Sequence, residues 1–248
     1  MKAMVLAAGL GTRLCPLTDD RPKALVEVGG RTLLEITLTR LRQFRIVDVI
    51  INVHHFAPMV VSYLQSQNNF GMRIEISRED ELLLDTGGGL KKAGWFLRDA
   101  SGREEPFLLH NVDVISNIDL GKMLHSHEQN KALATLAVQK RETSRYLLFD
   151  DGLRLCGRKS GPDGKCELVS KAQNPLALAF AGIHVISPRL LSMMTEQGVF
   201  SIVDTYLRLA QAGETISGFR ADNNYWRDLG RPENVAQAAR DFKAGLIS

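Results

Sequence analysis

The residues most able to do chemistry lie near the N-terminus. An apolar run, Met4-Val5-Leu6-Ala7-Ala8, leads into Gly9-Leu10-Gly11-Thr12-Arg13-Leu14, then Pro16-Leu17-Thr18 and Arg21-Pro22-Lys23. The run has the character of a buried parallel strand. Glycines at its carboxyl end expose backbone N–H groups and let a ligand approach closely. The prolines hold the following segment out of regular structure, and Arg13, Arg21 and Lys23 add positive charge. A small, donor-rich, cationic loop suits a polyphosphate.

Other readings of this loop fit less well. A dinucleotide fingerprint needs a third glycine opening a helix, but that position is Leu14, and Pro16 and Pro22 interrupt any immediate helix. Glu27 is therefore not placed as a ribose-binding acid. The P-loop pattern is absent, and a plain strand-to-helix turn has no use for so many glycines and cations together. Farther along, Asp113 follows the apolar run Phe107 to Leu109, and Asp228 sits in Trp226-Arg227-Asp228-Leu229-Gly230. An acid at the end of a buried strand must meet a cation or a donor. Metal ligation and strand-end capping are both open to each aspartate. Thr86-Gly87-Gly88-Gly89 suggests a capped helix start with close backbone approach to a ligand, or tight helix-sheet packing.

These segments together resemble the signature of the sugar-1-phosphate nucleotidyltransferases, the NDP-sugar pyrophosphorylases. The resemblance rests on Leu6 through Leu14, Pro16-Leu17-Thr18 and Pro22-Lys23. It continues through Leu33-Leu34-Glu35, Asp85 to Gly89, Asn111-Val112-Asp113, Phe180-Ala181-Gly182-Ile183 and Tyr225 to Gly230, so it covers nearly the whole chain. Short enzymes similar to N-acetylmuramate-1-phosphate uridylyltransferase and mannose-1-phosphate guanylyltransferase are the nearest subfamilies. One departure is Val112, where the family usually has glycine; a side chain there is expected to alter the ribose contact.

The resemblance implies an in-line attack of a sugar-1-phosphate oxygen on the α-phosphorus of an NTP, UTP or GTP favoured. The nucleophile is already an anion, so positioning and charge neutralisation carry the rate. It implies Mg2+ on Asp113 and Asp228, Arg13 on the leaving pyrophosphate and Lys23 on the α-phosphate. The nucleotide would rest against Leu6, Ala8, Gly9, Gly11, Thr12 and Arg13, with Thr86, Gly87 and Gly88 near the base and Asn111 beside them. Arg21 is peripheral on this reading, and Trp226 is either an apolar wall of the site or a core residue. A cytidylyltransferase acting on phosphocholine, a non-catalytic nucleotide-sugar sensor and a glycosyltransferase of related architecture are the competing readings. Intact Arg13, Lys23, Asp113 and Asp228 speak against a sensor.

Composition bounds these readings. The chain has 248 residues, 44% hydrophobic and 24% charged, as in a globular protein with a sizeable core. The net charge of +3, without a basic face, gives no reason to expect a nucleic-acid partner. No run is long enough to span a bilayer and no signal peptide is evident, so the expectation is a cytoplasmic protein. Cys15, Cys156 and Cys166 lack metal spacing or a disulfide framework. His54, His55, His125 and His127 are expected to be ordinary loop or surface residues.

The elements that must hold these residues alternate. Strands are expected at the N-terminus, 46–53, 72–76, 107–109 and 134–139. Helices with apolar faces fall between them, one carrying Leu34, Leu38 and Leu41, others at 58–67 and 120–130. The pattern predicts an α/β fold with a mostly parallel, Rossmann-like central sheet, helices on both faces, and ligands at the strands' carboxyl ends. The second half reads as a smaller antiparallel subregion for the sugar: strands between 146 and 158 around Asp150-Asp151-Gly152, a polar loop over 159–174, and a long strand at 176–186. A helix at 202–212, a strand at 216–219 and a terminal helix from Pro232 follow. The nucleotide-binding core spans about 1–140, the sugar subregion about 141–230 and the last helix about 232–245, in one domain.

Overall fold

A computed structural model describes residues 1–98, 105–160 and 164–247. In the first half, β1 (Lys2–Leu6), β2 (Glu27–Val28) and β3 (Arg31–Thr32) precede helix α1 (Leu33–Gln43). Next come β4 (Asp48–Val53), α2 (Ala57–Ser66), β5 (Arg73–Arg78) and α3 (Asp85–Leu97). Then follow β6 (Phe107–Asn111), β7 (Val114–Ser116), α4 (Leu120–Gln129) and β8 (Ala134–Gln139). The second half contains β9 (Arg145–Phe149), β10 (Leu155–Ser160), β11 (Cys166–Leu168), β12 (Leu176–Ile186) and α5 (Arg189–Met193). It ends with α6 (Ile202–Gln211), β13 (Ile216–Arg220), β14 (Trp226–Asp228) and α7 (Pro232–Lys243).

Among the described residues a ten-stranded sheet runs through both halves in the order β11-β10-β9-β12-β6-β1-β4-β5, with β8 and β13 branching from β12. Strands β6, β1, β4 and β5 are parallel neighbours, and β13 is parallel to β8. Strand β12 enters antiparallel beside β6 and joins the parallel part to the antiparallel β9, β10 and β11. The chain leaves β1 toward β4 and returns to the other side of β1 at β6. That reversal opens a crevice at the carboxyl ends of β1 and β6, where Leu6 pairs with Asn111.

The strands are apolar on both sides because each face of the sheet carries its own core. Ala3 and Val5 of β1, Val49 and Ile51 of β4 and Leu108 of β6 face α1, α2, α4 and α7. Met4, Ile50, Phe107 and Leu109 alternate to the other face, under Leu90 and Ala93 of α3 and Ile202 and Tyr206 of α6. Helix α1 starts where Thr32 accepts a hydrogen bond from the Glu35 N–H at 3.0 Å.

Three expectations change. His127 is buried, not a surface residue, because its Nδ1 meets the Thr135 hydroxyl at 3.0 Å under the sheet. The polar stretch from Lys159 begins inside β10 and contains β11, whose pairing at Lys159↔Cys166 makes it a hairpin; residues 161–163 lie outside the described residues. Thr86 does not cap its own helix. Leu84 holds that position, and the Thr86 hydroxyl instead accepts from Ile202 N–H at 3.0 Å, at the start of α6.

Candidate active site

The glycine loop leaves the end of β1 and folds back over its own lysine. Gly11 has φ of +70° and opens a short 3-10 turn over Thr12–Leu14. A Cβ at Gly11 would lie 3.0 Å from Thr18 Cγ2, and one at Gly9 would lie 3.0 Å from Lys23 Nζ. The two glycines thus let the Lys23 side chain run along the loop with its ammonium at the crevice.

There Lys23 Nζ donates to Asp113 Oδ2 at 3.1 Å, with both side chains 14% exposed. Burial opposes charge on Asp113, but the Lys23 ammonium and its hydrogen bond, with help from Arg13, hold the carboxyl below the usual range. Asp113 is therefore an anion at neutral pH.

Asp228 arrives from the far end of the chain. Strand β14 pairs antiparallel with β7, setting Asp228 opposite Val114, and the Leu229 N–H donates to the Asp113 carbonyl at 2.8 Å. The Gly230 N–H donates to Asp228 Oδ1 at 2.8 Å. A Cβ at Gly230 would fall 2.9 Å from Arg13 Nη2 and 2.8 Å from Asp228 Oδ1, so the missing side chain lets the guanidinium and carboxylate approach. Arg21 pairs with Asp20 at 2.8 Å, outside the crevice lining.

Two cavities flank this centre. One, of about 400 Å3, is lined by Leu6, Ala8, Gly9, Lys23 and Asp113, with Asp85, Thr86 and Val199 opposite. The other, of about 890 Å3, is lined by Arg13, Asp228, Trp226, Arg141 and Arg145. Asn111 lines both. Gly182, with φ of +74°, sits in the β12 bulge between Phe180 and His184, and a Cβ there would lie 2.9 Å from Asn111 Nδ2. The bulge turns Phe180 and Ala181 toward the larger cavity.

Not every residue named from sequence faces the crevice. The N–H groups of Gly87 and Gly88 donate to the Phe200 carbonyl at 2.9 and 3.3 Å. A Cβ at Gly87 would strike the Phe200 ring at 2.4 Å, and one at Gly88 the Gly198 carbonyl at 2.5 Å. These glycines serve close packing between α3 and the segment before α6. The Val112 side chain is fully buried in the core, so the departure from glycine does not project into a cavity.

Several residues in the site carried no sequence signal. Asn52 is buried at the end of β4; its Oδ1 accepts from Ala7 N–H at 2.7 Å and its Nδ2 donates to Glu79 Oε1 at 2.7 Å. Glu79, also buried, accepts from Leu84 N–H at 2.8 Å. This relay fixes the glycine loop to the segment that opens α3. In the larger cavity Arg141 lies over the Trp226 ring at 3.7 Å and donates to the Phe180 carbonyl at 2.7 Å. Trp226 Nε1 donates to the Ala181 carbonyl at 2.8 Å, so this tryptophan is a cavity wall.

Asp113 and Asp228 are two carboxylates brought to neighbouring backbone positions, and among the described residues no group of three or more His, Cys, Asp or Glu could hold a metal. Two carboxylates fit a hard cation that keeps waters and takes further oxygens from substrate phosphates. Among the described residues no helix is long and apolar enough to cross a membrane.

Comparisons with known proteins show the family and the fold. The chain is 34% identical over 247 residues to an N-acetylmuramate alpha-1-phosphate uridylyltransferase of Caulobacter vibrioides, covering 96% of each. It is 29% identical to a mannose-1-phosphate guanyltransferase of Yarrowia lipolytica, covering 94% of this chain and 62% of that one, so it spans less than two thirds of that relative's length. A solved UDP-glucose pyrophosphorylase complexed with UDP-glucose superposes with a TM-score of 0.79 over 98% of both chains, at 16% identity, a likeness of fold. The nucleotidyl transferase family pattern matches residues 2–245, and the chain belongs to that family, among the sugar-1-phosphate nucleotidyltransferases.

Proposed function

We propose that the chain joins UTP, ahead of GTP, to a hexose-type sugar 1-phosphate, with an acidic sugar such as N-acetylmuramate the best acceptor. The observation that carries this reading is the convergence of Lys23, Asp113 and Asp228 where β1 and β6 end. An oxygen of the sugar phosphate attacks the α-phosphorus, the bond to the β-phosphate bridging oxygen breaks, and pyrophosphate leaves. Lys23 holds the α-phosphate and Arg13 the departing pyrophosphate, each placing positive charge where negative charge gathers. Asp113 and Asp228 would hold Mg2+, which when bound neutralises charge on the reacting phosphates. The nucleotide occupies the smaller cavity along Leu6, Ala8 and Gly9, with Gly11 and Thr12 shaping the loop and Thr86 toward the base. The acceptor occupies the larger one.

An acidic acceptor follows from the larger cavity's charge. Arg13, Arg141 and Arg145 line it without an ion-pair partner within 4.0 Å among the described residues, against the acids Glu142 and Asp228, so its lining keeps an excess of positive charge. An acceptor with a carboxylate beside its phosphate matches that excess. The experiment is pyrophosphate release with magnesium, each NTP, and the 1-phosphates of N-acetylmuramate, glucose and mannose beside phosphocholine. Turnover with UTP and N-acetylmuramate 1-phosphate is expected. Turnover with CTP and phosphocholine alone would favour the cytidylyltransferase reading, and none with any pair would favour a sensor.

A further inference from the structure

The segment around β14 serves two places at once. Trp226 and Asp228 line the larger cavity. Tyr225 and Arg227, one step out of phase with them, reach to α7, as alternation along an extended strand requires. There they close on one carboxylate. The Tyr225 hydroxyl donates to Asp241 Oδ2 at 2.6 Å, Arg227 Nε donates to the same oxygen at 3.1 Å, and Arg227 Nη2 lies 3.0 Å from it. Arg227 Nε also donates to the Tyr225 hydroxyl at 3.0 Å, and Gln237 Nε2 donates to Asp241 Oδ1 at 2.8 Å. Asp241 is 5% exposed, so these groups rather than water satisfy its charge.

The sequence of α7 sets this up. Asn234, Gln237 and Asp241 recur at spacings of three and four, which places them in one stripe of the helix. Val235, Ala238 and Phe242 form the neighbouring apolar stripe and pack into the core. Asn234 Nδ2 donates to the Asp228 carbonyl at 2.8 Å. Helix α7 therefore grips β14 twice: on the Asp228 backbone and, through Asp241, on the residues either side of Trp226. Stability alone does not call for a buried carboxylate here, because apolar side chains of similar volume often serve as well or better. A fully satisfied network adds a fixed geometry. The Leu229 N–H donates to the Asp113 carbonyl, so the geometry set at α7 continues to the other carboxylate.

We propose that Asp241 is a positioning residue: through Tyr225 and Arg227 it fixes β14 so that Asp228 can share a metal ion with Asp113 while Trp226 holds its place in the cavity wall. The proposal rests on Asp228 being a metal ligand.

The test reads metal binding and the surroundings of Trp226 rather than turnover. The chain has two tryptophans, and Trp95 is exposed, so Trp95→Phe leaves Trp226 as the only reporter. In that background Mn2+ is titrated alone, its binding read from loss of the free-ion electron paramagnetic resonance signal. The tryptophan band of the near-ultraviolet circular dichroism reports on Trp226. Asp241→Asn keeps the shape of the side chain and removes its charge. It should weaken Mn2+ binding about tenfold, the lower end of the range for groups that orient metal ligands, and reduce the Trp226 band. Tyr225→Phe deletes one hydroxyl from the network; it should act in the same direction by less, and it decides the matter where Asp241→Asn does not fold. Combined with Asp228→Asn, either variant should cause no further loss of Mn2+ affinity, because each acts through that carboxylate. A lower thermal midpoint with Mn2+ affinity unchanged in both variants would make the network a stability device and overturn the proposal. So would an undiminished further loss in the Asp228→Asn background. Mn2+ affinity unchanged by Asp228→Asn alone would instead remove the metal assignment of Asp228, and the proposal with it.

Discussion

Lys23 and Asp113, ninety positions apart, meet with Nζ 3.1 Å from Oδ2 at the mouth of the crevice. The contact keeps Asp113 ionised despite its burial, and leaves an ammonium beside it for a phosphate. Removing the cation should have two separable effects. Lys23→Gln should lower kcat by about 100-fold, as loss of one preorganised donor does. It should also let burial raise the Asp113 pKa. Because activity needs the carboxylate, the acidic limb of the pH–rate profile should move to higher pH. A profile with an unmoved acidic limb would separate Lys23 from the ionisation of Asp113.

Arg13 stands across Gly230 from Asp228 and lines the larger cavity. If it meets charge that grows as pyrophosphate departs, Arg13→Ala should lower kcat and kcat/KM together by about 100-fold. A rise in KM for the NTP at constant kcat would make Arg13 a binding residue only. Steady-state kinetics at saturating acceptor decides between them.

The Asn52–Glu79 relay gives a prediction about stability. Asn52→Leu leaves the Ala7 N–H without its acceptor and Glu79 Oε1 without its donor, both buried. The expected cost is about 3 kcal/mol, in line with stranding two buried polar groups. Chemical denaturation should show it as a lower midpoint with an unchanged slope. A loss below about 0.5 kcal/mol would mean that water or another side chain replaces the amide.

How far these features were legible in the sequence follows from their range. Strands β8 and β12 have the limits read from the sequence, because apolar residues dominate each, with Thr135, Gln139 and His184 the polar exceptions, and polar residues or Ser187-Pro188 stop them. The glycine loop, Asp113 and Asp228 stood out because their residue types are expensive where they sit. Strands β7 and β14 did not. Each has three residues, and each exists only through pairing with a partner more than a hundred positions away. Asn52 and Glu79 look like the polar ends of surface strands, since nothing local reveals that they face each other. Gly87 and Gly88 signalled close approach correctly, but the approaching group is the Phe200 segment of the chain itself.

Gly87→Ala tests that packing role. The new Cβ would lie 2.4 Å from the Phe200 ring and 2.9 Å from the Phe200 carbonyl, so the segment before α6 must move. The expected loss is about 1–3 kcal/mol, as for overpacked cores. Val199, which lines the smaller cavity, belongs to the same segment, so KM for the NTP should rise as well. Unaltered thermal stability with a raised KM would point to direct contact between Gly87 and the nucleotide.

The last prediction concerns three buried histidines. His110, His127 and His184 are 1%, 3% and 1% exposed, and burial lowers their pKa values to about 4, about 4 and about 3. His184 Nδ1 lies 2.8 Å from the Tyr206 hydroxyl, an arrangement that suits a neutral ring. In the unfolded chain each would titrate near 6.5, so between about pH 6.5 and 4 the unfolded state binds more protons than the folded one. Stability is therefore full above that window and falls as pH drops through it. With all three unfolded-state rings protonated, the slope approaches about 4 kcal/mol per pH unit. His127→Asn removes one of these protons, and should reduce the slope by about 1.4 kcal/mol per unit whatever its effect at neutral pH. Denaturation free energies at pH 7.5, 6 and 5 for the two proteins give the comparison. Parallel curves would show that His127 titrates alike in both states.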